Sequence, residues 1–212
     1  MKELFLISGL GADRRVFEFL DLSEYKLNHV EWVRLVSDES IEQYAQRLLT
    51  QIPGVKPMLV GVSFGGIIAV EIAKQIETEK VILISSVKTR SELPGYFRLS
   101  GELNLHKILP TSIHTPPGFI INNLFGVKTE SEKKLLKTII KDTDPVFLKW
   151  AIDKIANWRN KELLPNMITI HGTHDRIFPK QKADYMVENG GHFMVVSHAR
   201  EISRFLKKAI GD

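Results

Sequence analysis

Short runs of apolar residues alternate along the chain with segments whose apolar residues recur at helical spacing. Short apolar runs bounded by turn residues are typical of buried strands, and recurrence at every third and fourth position is typical of amphipathic helices. The strand-like runs lie at 4–7, 27–33, 58–62, 81–84, 167–170 and 183–187. Helix-like segments follow Asp13 and lie at 40–52, 64–76, 147–158 and 202–210. Because this alternation favours parallel pairing, we expect an α/β fold with a mostly parallel six-stranded sheet between helical layers.

The alternation is interrupted between residues 88 and 145. Prolines and glycines are frequent in this segment, and it contains amphipathic stretches at 97–109 and 131–140. We interpret it as a mainly helical insertion at about 88–145. The whole chain, 1–212, is expected to form one domain, because its 212 residues suit a single core.

Composition and charge narrow the possible partners. Hydrophobic residues make up 43% and charged residues 25% of the chain, which is the balance of an ordinary folded protein. The formal net charge is only +4 and the basic residues are scattered, so we expect no nucleic-acid partner. Cysteine is absent, which excludes disulfides, thiolate catalysis and cysteine-ligated zinc. No segment has the length of a membrane span or the pattern of a signal peptide, so we expect a cytoplasmic protein without a membrane partner.

One serine stands between small residues where a predicted strand meets a predicted helix. The stretch Gly61-Val62-Ser63-Phe64-Gly65 fits the pattern G-x-S-x-G. In such a tight turn Gly61 and Gly65 let neighbouring backbones pass closely. The Ser63 hydroxyl then projects beside the N-terminus of the next helix, whose partial positive charge favours an oxyanion. The pattern predicts a nucleophile, although on its own it also fits a plain glycine-rich turn.

A base and an acid follow later in the chain, each after a predicted strand. HGTHDRIFP, at 171–179, presents Asp175 in a polar turn, and GGHFMV, at 190–195, presents His192. In this order and context Ser63, Asp175 and His192 resemble the catalytic triad of the α/β-hydrolase superfamily. The resemblance covers essentially the whole chain and implies a three-layer α/β-hydrolase fold. It also implies that Ser63 is the nucleophile, His192 the base and Asp175 the acid, with no cofactor and no metal.

The resemblance further implies an oxyanion hole made from two backbone amides. The amide after the nucleophile belongs to Phe64. Ser8-Gly9-Leu10-Gly11 occupies the place where many relatives carry His-Gly-x-Gly, so Leu10 is the second candidate donor. Ser8 departs from that pattern, and we expect the change to alter the support of the loop more than the hole itself. Asp13 is interpreted as a helix cap rather than as part of this loop.

A metal site is an alternative interpretation of the acid turn. His171 and His174 flank it and could bind a metal together with Asp175. We instead expect His171 to end the preceding strand, and the resemblance requires no metal.

Other acids are also present in the sequence. Asp38 and Asp153 are candidates for the acid role, but neither lies in a turn directly after a predicted strand in the required order. Ser85 and Ser86 end the fourth strand, where some relatives carry the acid. This assigns the acid role to Asp175.

In this superfamily the segment after the fourth strand here commonly forms a cap whose side chains select the substrate. The candidates for an apolar pocket in or beside this segment are Tyr96, Phe97, Phe119, Phe125 and Trp150. The alternative is that most of them simply pack the cap onto the sheet.

The segment that leads to His192 is short. Residues 180–182 can form little more than a turn where many relatives place a helix, so this face of the sheet is either open or covered by a partner subunit.

We expect Gly190 and Gly191 to give the histidine loop its conformational freedom, with a positive φ at Gly191. Phe193 and Met194 are expected to pack into the core as the anchor of the loop.

These features predict a serine hydrolase that cleaves a carboxylic ester or thioester of a small apolar molecule through an acyl-enzyme. A monomer or a homodimer is compatible with the sequence. Two alternatives remain open: a lyase or C–C bond hydrolase that uses the same site, and a non-enzymatic member of the fold that binds a ligand. A pure binding protein would not need all three groups of the triad.

Overall fold

Six parallel strands form a single sheet. The computed structural model describes residues 1–102, 118–179 and 181–211. The strands are β1 (Glu3–Ile7), β2 (Lys26–Val30), β3 (Met58–Val62), β4 (Lys80–Ile84), β5 (Met167–Gly172) and β6 (Tyr185–Val187). Their order across the sheet is β2-β1-β3-β4-β5-β6, and every neighbouring pair is parallel. This confirms the predicted six-stranded sheet.

The outer strands are shorter than predicted. β2 ends at Val30 rather than at residue 33, because the Val33 amide donates to the Tyr44 hydroxyl 3.0 Å away instead of joining the sheet. β6 begins at Tyr185 rather than at residue 183. The Asp184 carboxylate accepts hydrogen bonds from the amide and hydroxyl of Thr169, so a side chain binds β5 before the strand starts.

The described residues contain eight α-helices. They are α1 (Ile41–Leu48), α2 (Phe64–Ala73), α3 (Gly95–Glu102), α4 (Gly118–Phe125), α5 (Glu130–Asp142), α6 (Pro145–Asn157), α7 (Met194–Ser197) and α8 (Ala199–Gly211). α1 starts with the predicted Ser40 cap, which forms a capping box with Gln43. The helix predicted after Asp13 is only a 3₁₀ turn, Arg14–Val16, although Asp13 caps it by accepting from the Arg15 amide as expected.

Two apolar layers cover the two faces of the sheet. β1 shows the alternation: Leu4 and Leu6 point into one cluster, and Phe5 and Ile7 point into the other. The first cluster is completed by buried residues of α5 and α8, and the second by residues of α1, α2 and α6. The result is the predicted three-layer arrangement, with every central strand buried on both sides.

The predicted insertion is helical where it is described. α3, α4 and α5 all lie between β4 and β5, and α3 packs closely on α6, since a Cβ on Gly101 would overlap the Ala156 carbonyl. The amphipathic stretch at 97–109 is described only as far as residue 102, and the rest lies outside the described residues. The described residues between β5 and β6 contain no helix, and of the turn predicted at 180–182 residue 180 lies outside them. Within 1–102, 118–179 and 181–211, no helix has both the length and the apolar character needed to cross a bilayer.

Candidate active site

Ser63 occupies the turn between β3 and α2 in a strained conformation. Its φ is 53° and its ψ is −120°, a region that side-chain-bearing residues rarely adopt. The Ser63 amide donates to the Ile84 carbonyl 2.9 Å away. The Ser63 carbonyl accepts from the Gly66 amide at 2.9 Å and from the Ser86 hydroxyl at 2.7 Å. These bonds to the end of β4 and to α2 hold the turn against its strain.

The two glycines of the motif are required by close backbone contacts. A Cβ on Gly61 would lie 2.5 Å from the Gly65 carbonyl oxygen, and a Cβ on Gly65 would overlap the carbonyl oxygens of Ile7 and Ser8. Contacts this short leave room only for hydrogen atoms. β1, β3 and the start of α2 are therefore packed backbone to backbone behind the Ser63 side chain.

The structure brings the three predicted triad residues together. His192 Nε2 lies 2.8 Å from Ser63 Oγ, and His192 Nδ1 lies 2.8 Å from Asp175 Oδ2. Ser63 follows β3, Asp175 follows β5 and His192 follows β6, so all three lie at the carboxyl edge of the parallel sheet. Because a carboxylate only accepts, Nδ1 carries the ring proton and Nε2 is free to accept from the Ser63 hydroxyl.

Asp175 is held as an anion. Its side chain is 0% exposed, and Oδ1 accepts from the amides of Ile177 and Phe178 at 2.8 and 2.9 Å. Burial by itself raises the pKa of Asp175, but the interaction with His192, which includes a hydrogen bond, and the hydrogen bond from the Phe178 amide outweigh it. The net pKa lies below the ordinary value for an aspartate, so the carboxylate is ionised at neutral pH and can orient the imidazole.

His171 is a second buried histidine at the acid. Its Nε2 lies 2.8 Å from the Phe178 carbonyl oxygen and 3.3 Å from Asp175 Oδ2. Both neighbours are acceptors, so Nε2 carries a proton and donates to Phe178. Burial lowers the pKa of His171, which keeps the ring neutral. The sequence interpretation ended a strand at His171, whereas β5 continues to Gly172. The His171 side chain also fixes the acid turn through its hydrogen bond to Phe178.

The metal interpretation has no support in the geometry. His174 is exposed and its Nδ1 lies 3.1 Å from the neighbouring Thr173 hydroxyl. Among the residues that the structure describes, no group of three potential ligands comes together.

The imidazole Nδ1 of His192 bonds to Asp175, so the acid position is filled by neither Asp38 nor Asp153.

The loop after β1 lies beside Ser63. A Cβ on Gly9 would be 3.5 Å from Ser63 Cβ, and Gly9 and Leu10 both line the cavity that contains the Ser63 hydroxyl. Within the described parts of the chain, the amides of Leu10 and Phe64 donate to no other protein group. Leu10 lines the cavity and Phe64 directly follows Ser63, so these two unpaired amides remain the candidate donors of an oxyanion hole.

Ser8 supports this loop, as the sequence interpretation expected. Its hydroxyl donates to the Ala12 carbonyl 2.7 Å away, and the Ala12 amide donates to Gly9 at 3.0 Å. The side chain at this position therefore closes the loop rather than facing a substrate.

An apolar cavity of about 350 Å³ is lined in part by Ser63 and His192. Besides these two residues it is lined by Gly9, Leu10, Ala12, Val16, Val62, Phe97, Ile121, Leu124, Phe125, Leu136, Ile139, Ile140, Thr143, Leu148, Ile152, Ile155, Ile177, Phe178, Phe193 and Val195. No charged residue is found among these lining residues. The cavity is therefore suited to an uncharged, apolar group.

Two of the five aromatic residues predicted for the pocket, Phe97 and Phe125, belong to the lining. The other three do not. Tyr96 is 55% exposed and donates to the Ile177 carbonyl, and Phe119 is 74% exposed. Trp150 packs in a cluster of aromatic rings, with Phe147 stacked on it 5.7 Å away.

The sequence interpretation missed the aliphatic residues that α5 and α6 contribute to the lining. Leu136, Ile139 and Ile140 come from α5, and Leu148 and Ile152 come from α6. Their signal was present as apolar residues at helical spacing in amphipathic segments. Such a pattern identifies a buried face, but it does not distinguish a face that packs on the sheet from one that borders a cavity.

The histidine loop differs from the prediction in its backbone. Gly190 and Gly191 have no positive φ, so conformational freedom is not what requires glycine here. A Cβ on Gly191 would instead lie 2.8 Å from Gly126 Cα and 2.9 Å from the Phe125 carbonyl oxygen. The loop is fixed by its contact with the end of α4. Phe193 and Met194 are buried in the core, as predicted.

Replacing Gly191 with valine is expected to reduce kcat/KM by about 100-fold, because the side chain forces apart the Phe125–Gly126 backbone and the loop that carries His192. Stability should fall as well, since backbone atoms must move. The measurements are kcat/KM and the thermal midpoint. Gly95→Val is the control, because a Cβ at Gly95 would meet no described atom within 4 Å apart from its chain neighbours and its own helix backbone. Normal activity in a folded Gly191→Val protein would show that this contact does not position His192.

The lowered pKa of Asp175 predicts a pH-dependent contribution to stability. The folded pKa is below the unfolded value of 3.8, so the ionised group stabilises the fold fully above about pH 5 and loses this effect as pH falls through the folded pKa. We expect the thermal midpoint of the wild type to exceed that of Asp175→Asn by less at pH 3 than at pH 5. A gap independent of pH would contradict this.

Comparison with solved structures identifies the fold. An esterase from Exiguobacterium antarcticum is 14% identical, with a TM-score of 0.73 over 100% of this chain and 92% of the other. A bromoperoxidase from Bacillus anthracis is 18% identical, with a TM-score of 0.70 and the same coverage. An extracellular α/β-hydrolase from a Paenibacillus species is 16% identical, with a TM-score of 0.68 over 100% of both chains.

The chain therefore has the α/β-hydrolase fold, as its sequence motifs predicted. No protein-family profile and no curated protein sequence matches it. The similar structures include an esterase and a bromoperoxidase, so the likeness defines the fold and leaves the reaction to the chemistry of the site.

Proposed function

We propose that this protein is a serine hydrolase that cleaves uncharged, apolar carboxylic esters or thioesters. The observation that carries the proposal is the unbroken series of 2.8 Å contacts from Ser63 through His192 to Asp175, in which Ser63 and His192 line an apolar cavity. The esterase among the similar structures supports a hydrolytic use of this fold.

In the proposed reaction Ser63 Oγ attacks the carbonyl carbon while His192 Nε2 removes its proton. The ionised Asp175 stabilises the resulting imidazolium through Nδ1. The oxyanion of the tetrahedral intermediate accepts hydrogen bonds from the Leu10 and Phe64 amides, and the positive end of α2 adds to their effect. His192 then protonates the leaving alcohol or thiol, and an acyl group remains on Ser63. A water molecule, deprotonated by His192, releases the acid and restores the serine.

The lining of the cavity supports the proposed substrate class. A carboxylate placed among these aliphatic and aromatic side chains would lose its hydration without gaining a partner, which costs several kcal/mol. A neutral alkyl or aryl group would instead be favoured by about 25 cal/mol for each Å² of apolar surface that it buries.

The test has two arms. A fluorophosphonate probe should label Ser63 in the wild type and give no adduct with Ser63→Ala. A panel of neutral esters and thioesters should be hydrolysed, and a matched ester that carries a terminal carboxylate on its acyl chain should react at least about 100-fold more slowly. Failure of labelling would contradict the nucleophile. If Ser63 is labelled but only diketone substrates are cleaved, the reaction is C–C bond hydrolysis and not ester hydrolysis.

A further inference from the structure

The loop that presents the Leu10 amide is supported from outside by the C-terminal end of α5. The loop itself has two glycines, Gly9 and Gly11, and Gly11 adopts a positive φ of 69°. Residues without side chains bury no apolar anchor of their own and are conformationally free. A backbone amide donor on such a loop needs contacts from other segments to keep its orientation fixed.

Thr143 makes the direct contact. It follows α5, and its hydroxyl lies 2.8 Å from the Ile139 carbonyl and 3.3 Å from the Gly11 carbonyl. A Cβ on Gly11 would overlap the Thr143 side chain, so this side chain lies directly against the Gly11 backbone. Thr143 also lines the cavity, where it is the one residue with a side-chain hydroxyl besides Ser63 among the described lining residues.

A second link joins the same two segments nearby. Arg15 donates to both oxygens of Asp13, at 2.7 to 3.0 Å, and to Asp142 Oδ2 at 2.9 Å. Asp13 caps the turn that directly follows the loop, and Asp142 is the last residue of α5. The end of α5 is thus attached to the loop both inside the cavity, through Thr143, and outside it, through Arg15.

We propose that Thr143 is a positioning residue for the oxyanion hole, assisted by the Arg15–Asp142 ion pair. This inference rests on the proposed function and deepens it. The Thr143 hydroxyl contacts the Gly11 carbonyl, and one peptide unit separates that carbonyl from the peptide that carries the Leu10 amide. α5 supplies Leu136, Ile139 and Ile140 to the cavity, so the helix that contacts the apolar part of a substrate also holds a donor of the oxyanion hole.

The experiment compares Thr143→Val, which removes the hydroxyl at nearly constant volume, with Thr143→Ser, which retains it. Thr138→Val is the matched control, because Thr138 is exposed on the same helix and its hydroxyl donates to Lys134 at 2.9 Å without touching the loop. Arg15→Gln tests the second link outside the cavity. For each variant we measure kcat and KM with a neutral ester, the rate of fluorophosphonate labelling, inhibition by a trifluoromethyl ketone and the thermal midpoint.

Thr143→Val is expected to lower kcat by about 10-fold or more at nearly unchanged KM, which is less than the 10²- to 10³-fold cost of deleting a donor outright. Labelling should slow and the ketone should bind more weakly by similar factors, because both reactions place an oxygen in the hole. Thr143→Ser should restore all three, Arg15→Gln should show a smaller loss of kcat, and Thr138→Val should match the wild type.

Two results would overturn the inference. One is equal kcat and equal labelling rates in Thr143→Val and the wild type. The other is a loss that appears only in KM or only in the thermal midpoint, which would assign Thr143 to substrate contact or to stability. Labelling of Ser63 needs no matched substrate, so the inference is tested even if no ester in the panel is hydrolysed. Absence of labelling in the wild type would refute the proposed function itself.

Discussion

Ser63→Ala is expected to lose ester turnover by about 10⁶-fold, the scale observed when the serine is removed from a serine protease triad. The substitution deletes the atom that attacks the carbonyl carbon and leaves the cavity and both candidate oxyanion donors in place. Binding of a neutral ester should therefore persist while kcat collapses. The measurement is kcat together with the binding of a non-hydrolysable substrate analogue.

The fold should tolerate this change. Alanine keeps the Cβ of Ser63 and hence the same strain at φ 53°, so the thermal midpoint should stay close to that of the wild type. Ser63→Gly should raise it, because glycine adopts this conformation without strain. Ser37→Ala, at an exposed serine, is the control for deletion of a hydroxyl. Substantial esterase activity in purified Ser63→Ala would eliminate Ser63 as the nucleophile.

His192→Ala should cost nearly as much, because the hydroxyl 2.8 Å from Nε2 is a poor nucleophile without a base. The two residues act in one proton transfer, so their effects should not add. We expect the double variant Ser63→Ala/His192→Ala to be no slower than about the slower of the two single variants. His198→Ala serves as the control, since its ring bonds only to the adjacent Ser197 among the described contacts.

The pattern of losses distinguishes this mechanism from alternatives. A double variant far slower than either single variant would mean that Ser63 and His192 act independently, and that some other group activates the serine. If the His192→Ala protein retained most of its activity, another residue of the site would have to act as the base.

Sequence motifs predicted which polar residues meet at this site better than they predicted the lining of the cavity. Ser63, Asp175 and His192 were identifiable because each follows a buried strand, and the carboxyl ends of parallel strands must meet at one edge. The pocket was less predictable, since a large aromatic such as Trp150 packs equally well against other rings. Whether an apolar residue borders a cavity depends on the relative placement of helices that are distant in sequence.

Backbone details were missed for a related physical reason. The early end of β2 depends on a hydrogen bond from Val33 to Tyr44, which comes from a separate helix. Glycine at position 191 is required by contact with Gly126, which no local pattern around His192 could reveal. Local sequence signals describe the preferences of a segment, whereas these features are decided by its neighbours.

The backbone contacts behind Ser63 have a consequence for how the protein folds. The turn is held by a bond to the end of β4 and by the close approach of Gly65 to β1, so no isolated β3–α2 segment can maintain it. The reactive serine should appear only after three strands from separate parts of the chain have assembled. During refolding we expect fluorophosphonate reactivity to lag behind the recovery of helix signal in circular dichroism. We therefore expect labelling by a fluorophosphonate to mark the completed centre of the sheet.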